Sequence, residues 1–394
     1  MRKLAVLAIC IFILLCVWPG NLRAEDAKPV TKQITWEEAA RRLDLQQMEK
    51  FKGQIDSEIS SYLQDKSLSE LLSDFMKGDF KLDPGEIGRN LLDYILREIL
   101  ASGHLLGKIL VLAVISALLM NMQSSFSDEG VSKLSNWACF LALSAIALSS
   151  FKYVLSLGQS TINTLTDFMS GILPQMMILV TGLGHLNSAA AVFPLMMTTC
   201  TFFGNAMEWV VFPLIVISAV LSIINCLSDT VKVQKMAKLV SSMATWAMGL
   251  MLTVFVTFLT LNSIYGSVLD KVTLKTGKFV ADKFFPVIGG YLSDALETAA
   301  GYVVLLKQAV GIFGVLIIFG LIIFPVLKIG VVAFIYKLAA ALVEPLGDSK
   351  TSQVLEIMGD HLLMVLAAVA GVGLMFFILI AIIGSMGNSV IMLR

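Results

Sequence analysis

Apolar residues are distributed along this chain in three regimes. From Leu4 to Val17 they form one short unbroken run behind Arg2 and Lys3. From 25 to 103 they recur at helical spacing among many charges, and beyond 103 they merge into long runs with short polar gaps. The first regime has the anatomy of an export signal. Pro19 and Gly20 break the run, and Ala24 offers a small residue before Glu25 and Asp26. The run is short for a membrane-crossing helix, which needs about 20 apolar residues. Residues 1–24 are therefore assigned as a signal peptide, cleaved near Ala24, with retention as an anchor the alternative. Residues 25–103 follow as an extracytoplasmic helical segment.

Within that segment, Thr35 and Glu38 have the spacing of a capping box. Ser67–Met76 reads as a short amphipathic helix, and Asp83-Pro84 starts another with proline in its first turn. Ile87, Leu91, Leu92, Ile95, Leu96 and Ile99 fall on one face of this last helix. That face is suited to the membrane domain of the same chain, to a partner, or to the bilayer surface.

Residues 104–394 read as a polytopic transmembrane domain, so the fold class is all-α. Apolar runs predict spans near 104–122, 137–157, 207–227, 239–261, 305–324, 326–345 and 362–386. Two further runs, 166–184 and 188–206, are interrupted by Asp167, Pro174, Pro194 and small residues. The stretch 285–303 carries Asp294 and Glu297 and is expected to be interfacial or re-entrant. The range is seven to ten spans. An offset of 119 residues aligns Gly171 with Gly290, Leu173 with Leu292 and Gly182 with Gly301. It also aligns Leu227-Ser228-Asp229 with Leu346-Gly347-Asp348. These matches outline a candidate duplication, 165–262 and 284–381, of the kind found in transport folds.

Composition agrees with lipid as the main solvent. Hydrophobic residues make up 57% and charged residues 15%, against about 25% charged in soluble domains. The 29 basic and 29 acidic residues leave no basic footprint for nucleic acid. Lys232, Lys235 and Lys238 favour a cytoplasmic place for the loop at 228–238, but Lys271, Lys275, Lys278 and Lys283 in the next loop weaken the contrast. Cys139, Cys200 and Cys226 are widely spaced in apolar stretches and form no zinc or redox pattern. Neither a P-loop nor HExxH nor GxSxG occurs, and His104, His185 and His361 are scattered. No catalytic, cofactor or metal residue is assigned, and no enzymatic activity is expected.

Ionisable residues in or beside the apolar runs carry the remaining signal. They include Asp167, Glu208, Lys307, Lys328, Lys337, Glu344 and Asp360. Such groups are costly in lipid and face a bundle interior or water. Lys337 and Glu344 are seven apart, about two helical turns. Lys328, Lys337 and Glu344, with Asp229 and Asp348 at the aligned turns, are the candidates for a polar path or for partner contacts. Snorkelling of Lys328 and Glu344 at the span ends is the structural alternative.

Three stretches of the second half, FPVIGGYLSDALETAAGYVVLLKQAVGIFGVLIIF (285–319), YKLAAALVEPLGDSKTSQVLEIMGDHL (336–362) and LMFFILIAIIGSMGN (374–388), resemble the stage III sporulation protein AE family of endospore-forming bacteria. The resemblance extends to LLGKILVLAVISALL (105–119) and the exported segment. Met358-Gly359-Asp360 stands where Leu-Gly-Asp is expected. The resemblance implies a multi-pass membrane subunit in the mother cell, built together with other products of the stage III A operon. One of those partners is a secretion-type ATPase, and another, stage III protein Q, lies in the forespore membrane across the intermembrane space. Such a complex implies a channel or secretion-like conduit that sustains late forespore development. A stand-alone secondary transporter is the alternative, and no cofactor is implied.

Overall fold

The computed structural model describes residues 84–123, 129–182, 186–227, 232–284, 289–346 and 349–385. The expected signal peptide, the segment from 25 to 83, and the candidates Asp229 and Asp348 lie outside the described residues. Among the described residues every element is helical, as the apolar patterning predicts.

Helix α1 spans Pro84–Gln123, α2 Glu129–Gly182 and α3 Leu186–Ala206. A π-helical segment, Met207–Val211, joins α3 to α4, Phe212–Leu227. Helix α5 spans Gln234–Phe284, α6 Gly289–Val343 and α7 Ser349–Ser385, with a 3-10 turn, Glu344–Leu346, between the last two. Proline begins α1 as expected, because the first helical position has no amide partner to lose.

Contacts between the helices give the relative directions of α1, α2, α6 and α7. Tyr94 stacks edge-on against Phe324 and Glu98 reaches Lys328, so α1 and α6 run parallel. Helix α2 runs against α6: a Cβ on Gly182 would meet Val303, and one on Gly311 would meet Met176. The Tyr336 hydroxyl, far along α6, donates to the Ala147 carbonyl near the start of α2. Helix α7 folds back along α6. Gly373 gives Ile322 its space, and a Cβ on Gly359 would lie 2.9 Å from Cγ of Lys337. Small residues at such crossings let helices approach where no hydrophobic force between them operates in lipid.

Among the described residues five helical stretches are long and apolar enough to cross a membrane: Phe140–Gly182, Ala189–Cys226, Gln234–Ile264, Val303–Val343 and Lys350–Gly384. The chain is a multi-pass membrane protein. Several runs expected as separate spans are continuous in the structure. The runs 137–157 and 166–184 both lie in α2, and 305–324 and 326–345 both lie in α6. Pro174 and Pro325 sit inside these helices without ending them, since a proline kink is tolerated where neighbours satisfy the freed carbonyl. The stretch from 289 to 303, expected as interfacial or re-entrant, is the beginning of α6.

The runs 188–206 and 207–227 are likewise one helical path, through the π segment. Pro213 has no amide proton and its ring crowds the carbonyl four residues back. The extra residue of the π segment absorbs that mismatch, and Phe212 N–H donates to the Met207 carbonyl, five residues back.

Helices α6 and α7 form the centre: half of the most apolar part of each is buried, against 17% for α5. Tyr336, Phe313 and Phe376 are fully buried there, with Phe168 of α2 and Phe212 of α4.

Candidate functional site

Helix α7 begins with a polar stretch, SKTSQVLEIMGDH (349–361), before its apolar run. At the end of that stretch, residues 359–364 touch three neighbouring helices. Asp360 Oδ1 accepts from Lys337 Nζ of α6 at 2.6 Å. The two side chains remain 57% and 42% exposed, so the pair lies on the outside of the bundle. Gly359 allows it: a Cβ there would press on Cγ of Lys337 and stand 3.4 Å from the Ala333 carbonyl.

One residue on, a helix turns by about 100°, and His361 points inward to α4. It is 5% exposed. Nδ1 lies 2.7 Å from the Ile357 carbonyl, which only a donor can satisfy, and Nε2 lies 3.0 Å from Oγ of Ser218. Ser218 also lies 2.9 Å from the Ile215 carbonyl. Its single hydroxyl proton serves either that carbonyl or Nε2. Met364, one turn further, accepts from the Ser241 hydroxyl of α5 at 3.5 Å. Ser352 donates to the Ala340 carbonyl and ties the start of α7 to α6.

The Ser218–His361 distance is that of a nucleophile and its base. The surroundings do not suit acyl transfer. Ser218 is fully buried, and the imidazole is oriented by a carbonyl of its own helix. Nearby backbone amides lie within helices, where they are already donated, so the dyad lacks both an entry for substrate and donors for an oxyanion. Its contacts join α4 to α7.

A second polar contact lies between α1, α2 and α6. Lys328 Nζ is 3.8 Å from Glu98 Oε1 and 5.7 Å from the centre of the Tyr153 ring. Ser102 donates to the same Glu98 oxygen. Leu91, Ile95 and Ile99 are half-buried on the side of α1 that carries Tyr94 and Glu98, whereas Leu92 and Leu96 are 61% and 59% exposed. The face expected to dock is therefore split, and only one edge of it meets the bundle.

The candidates thus separate. Lys328 and Lys337 find partners on different helices, Glu98 and Asp360. Glu344 lies just past the α-helical end of α6 at Val343, exposed at the start of the 3-10 turn. Pro345 is the cause, since the residue before a proline is disfavoured in an α-helix. Lys307 is fully buried on α6, Asp167 is exposed on α2, and Glu208 is half-buried in the π segment. Sequence reasoning missed the roles of His361 and Ser218. Among the described residues no three His, Cys, Asp or Glu side chains are grouped to hold a metal, and Cys200 and Cys226 are buried free thiols.

Residues 66–387 match the family model of stage III sporulation protein AE. The chain belongs to that family. It is 32% identical over 375 residues to the stage III sporulation protein AE of Bacillus subtilis (strain 168), covering 95% of this chain and 94% of the relative. No solved structure matches the chain. The match takes in both polar contacts and the whole α6–α7 hairpin. The family is one of sporulation proteins, and its name carries no enzymatic activity.

Proposed function

We propose that this protein is a non-enzymatic membrane subunit of a channel or secretion-like complex between mother cell and forespore. It works there with the other products of its operon, including a secretion-type ATPase, and with stage III protein Q of the forespore membrane. The observation that carries this reading is the place of the Lys337–Asp360 pair. A carrier acting alone needs its charged groups around an internal cavity. Here two charges that are costly in lipid stand on the outside of the bundle, where another chain or water can reach them.

Stand-alone secondary transport remains the competing reading, and the buried Lys307 is the observation in its favour. Deletion of the gene separates sporulation from general transport. The proposal expects vegetative growth to be normal and sporulation to stop after engulfment; a normal spore yield contradicts it. Solute uptake by the purified protein in vesicles, lost in Lys307→Ala, would support the transporter instead.

A further inference from the structure

Two helical hairpins in this chain share one register. The first joins α3 and α4 to α5, and the second joins α6 to α7. In the first, Phe203 stacks edge-on against Phe255. The offset of 119 residues carries these positions to Ile322 and Leu374, and in the second hairpin Ile322 packs over Gly373. The same offset carries Ser218 to Lys337 and Ser241 to Asp360. The hairpins also point the same way. His361 of α7 meets Ser218 of α4, and Gly371 lies by Met207 just before α4, so α7 runs against α4 as it runs against α6.

Burial does not repeat with the register but inverts. On α7, His361, Val365, Ala368, Val369 and Val372 are buried. Their counterparts on α5, Ser242, Trp246, Gly249, Leu250 and Thr253, are all exposed. Trp246 is 78% exposed where Val365 is 0%, and a Cβ on Gly249 would meet nothing within 4 Å. The other side shows the reverse. Phe334, Lys337, Asp360, Leu363 and Leu374 are exposed on the second hairpin. Their counterparts on the first are Ile215, Ser218, Ser241, Ala244 and Phe255, of which Ser241 is half-buried and the rest are buried. Behind the inversion lies the contact between the hairpins, in which α7 meets α4 and α5 through His361–Ser218 and Met364–Ser241. The front of the second hairpin thus covers the back of the first. The front of the first and the back of the second stay open.

We propose that the two hairpins are copies of one unit, and that the open front of the first docks on the open back of the second in another molecule of this chain. The contact already made inside the chain identifies the occupant, because there the same front seats on the same back. In the repeated contact Ser242 takes the place of His361 and lies against Lys337. Thr245 takes the place of Met364 and lies against Asp360. Each charge of the exposed pair thereby meets a hydroxyl. Gly249 and Thr253 keep the front open to close approach, as small residues do where helices pack in lipid. Since both hairpins point the same way, the docked molecule keeps the same orientation across the bilayer. The contact is head-to-tail, so it closes a ring or extends a row. None of this depends on what the assembly conducts.

The test is cross-linking in intact membranes between two differently tagged copies of the full chain, one with Ser242→Cys and the other with Lys337→Cys. A short bis-maleimide is expected to join the two tags. Either variant expressed alone with both tags is expected to give no product above the parent chain, because a head-to-tail contact brings position 242 to position 337 and not to itself. Gly249→Leu, added to the Ser242→Cys copy, is expected to abolish the cross-link and to leave thermal unfolding unchanged, since its own chain offers the new side chain open space. Absence of a product joining the tags overturns the proposal, as do cross-links to other proteins alone. Equal linkage in the single variants overturns the head-to-tail contact, and an undiminished cross-link in Gly249→Leu overturns the docking face.

Discussion

Lys337 of α6 and Asp360 of α7 close a 2.6 Å ion pair across the helical hairpin while both side chains stay about half exposed. Short distance and exposure together define what the pair can do. Solvent-screened pairs contribute about 0–1 kcal/mol, so this one adds little to stability. It does hold two opposite charges at a fixed place on the outside of the hairpin.

Reversal of either charge, Lys337→Glu or Asp360→Lys, is therefore expected to shift unfolding in detergent by about 1 kcal/mol or less. Spore yield is expected to fall well beyond what that shift explains. Thermal unfolding of the purified variants beside spore counts decides the matter. A large loss of stability with unchanged spore yield would make the pair purely structural.

Gly359→Ala tests the close approach beneath the pair. The new methyl meets the stem of Lys337 and the Ala333 carbonyl, and the second of these cannot move without moving α6. Overpacking of this kind costs about 1–3 kcal/mol. Gly384→Ala is the control on the same helix. A Cβ there meets nothing within 4 Å, so the change is expected to be neutral or to stabilise by up to about 1 kcal/mol. Equal effects at the two glycines would contradict the packing described.

Ser218→Ala leaves Nε2 of His361 buried beside a methyl. A buried polar atom deprived of its partner costs about 1–3 kcal/mol. His361→Phe removes the other half, and the double variant is expected to be less destabilised than the sum of the singles. Unfolding of the three variants gives the coupling, expected at about 0.5–3 kcal/mol for residues in contact. Strict additivity would mean that the 3.0 Å contact does not join α4 to α7.

At the other polar contact, Tyr94→Ala removes an edge-on aromatic pair, and such pairs contribute about 0.5–1.5 kcal/mol beyond burial. Glu98→Gln removes one charge of a longer pair at 3.8 Å. Protease cleavage within α1 is expected to rise more for Tyr94→Ala than for Glu98→Gln. The reverse order would mean that charge, not ring packing, holds α1 to α6.

Much of this fold is legible in the residues. The apolar runs mark a helical membrane protein, and Pro84 marks the start of α1. What the runs do not show is where one helix stops. Pro174 and Pro325 look like breaks in isolation, but neighbouring helices in a bundle hold a kinked helix together. Pro345 coincides with a helix end, just past the close of α6 at Val343. The pairing of Lys337 with Asp360 is nonetheless within reach of the sequence. Lys337 and Asp360 stand at equal distances in sequence from the junction between α6 and α7, and an antiparallel hairpin brings such positions level. His361 was not legible, because its partner Ser218 lies 143 residues away on another helix. On α1, helical spacing groups Leu91, Leu92, Ile95 and Leu96 on one broad face. Only contact with α6 shows that Leu91 and Ile95 turn inward while Leu92 and Leu96 stay outside.

The central claim is membership of a multi-chain membrane assembly. Purification of the tagged, full-length protein from membranes of sporulating cells, with identification of what comes with it, tests that most directly. Membership predicts recovery of the other operon products, the secretion-type ATPase among them, in constant proportion. Recovery of the tagged protein by itself, from membranes in which those products are present, would contradict it.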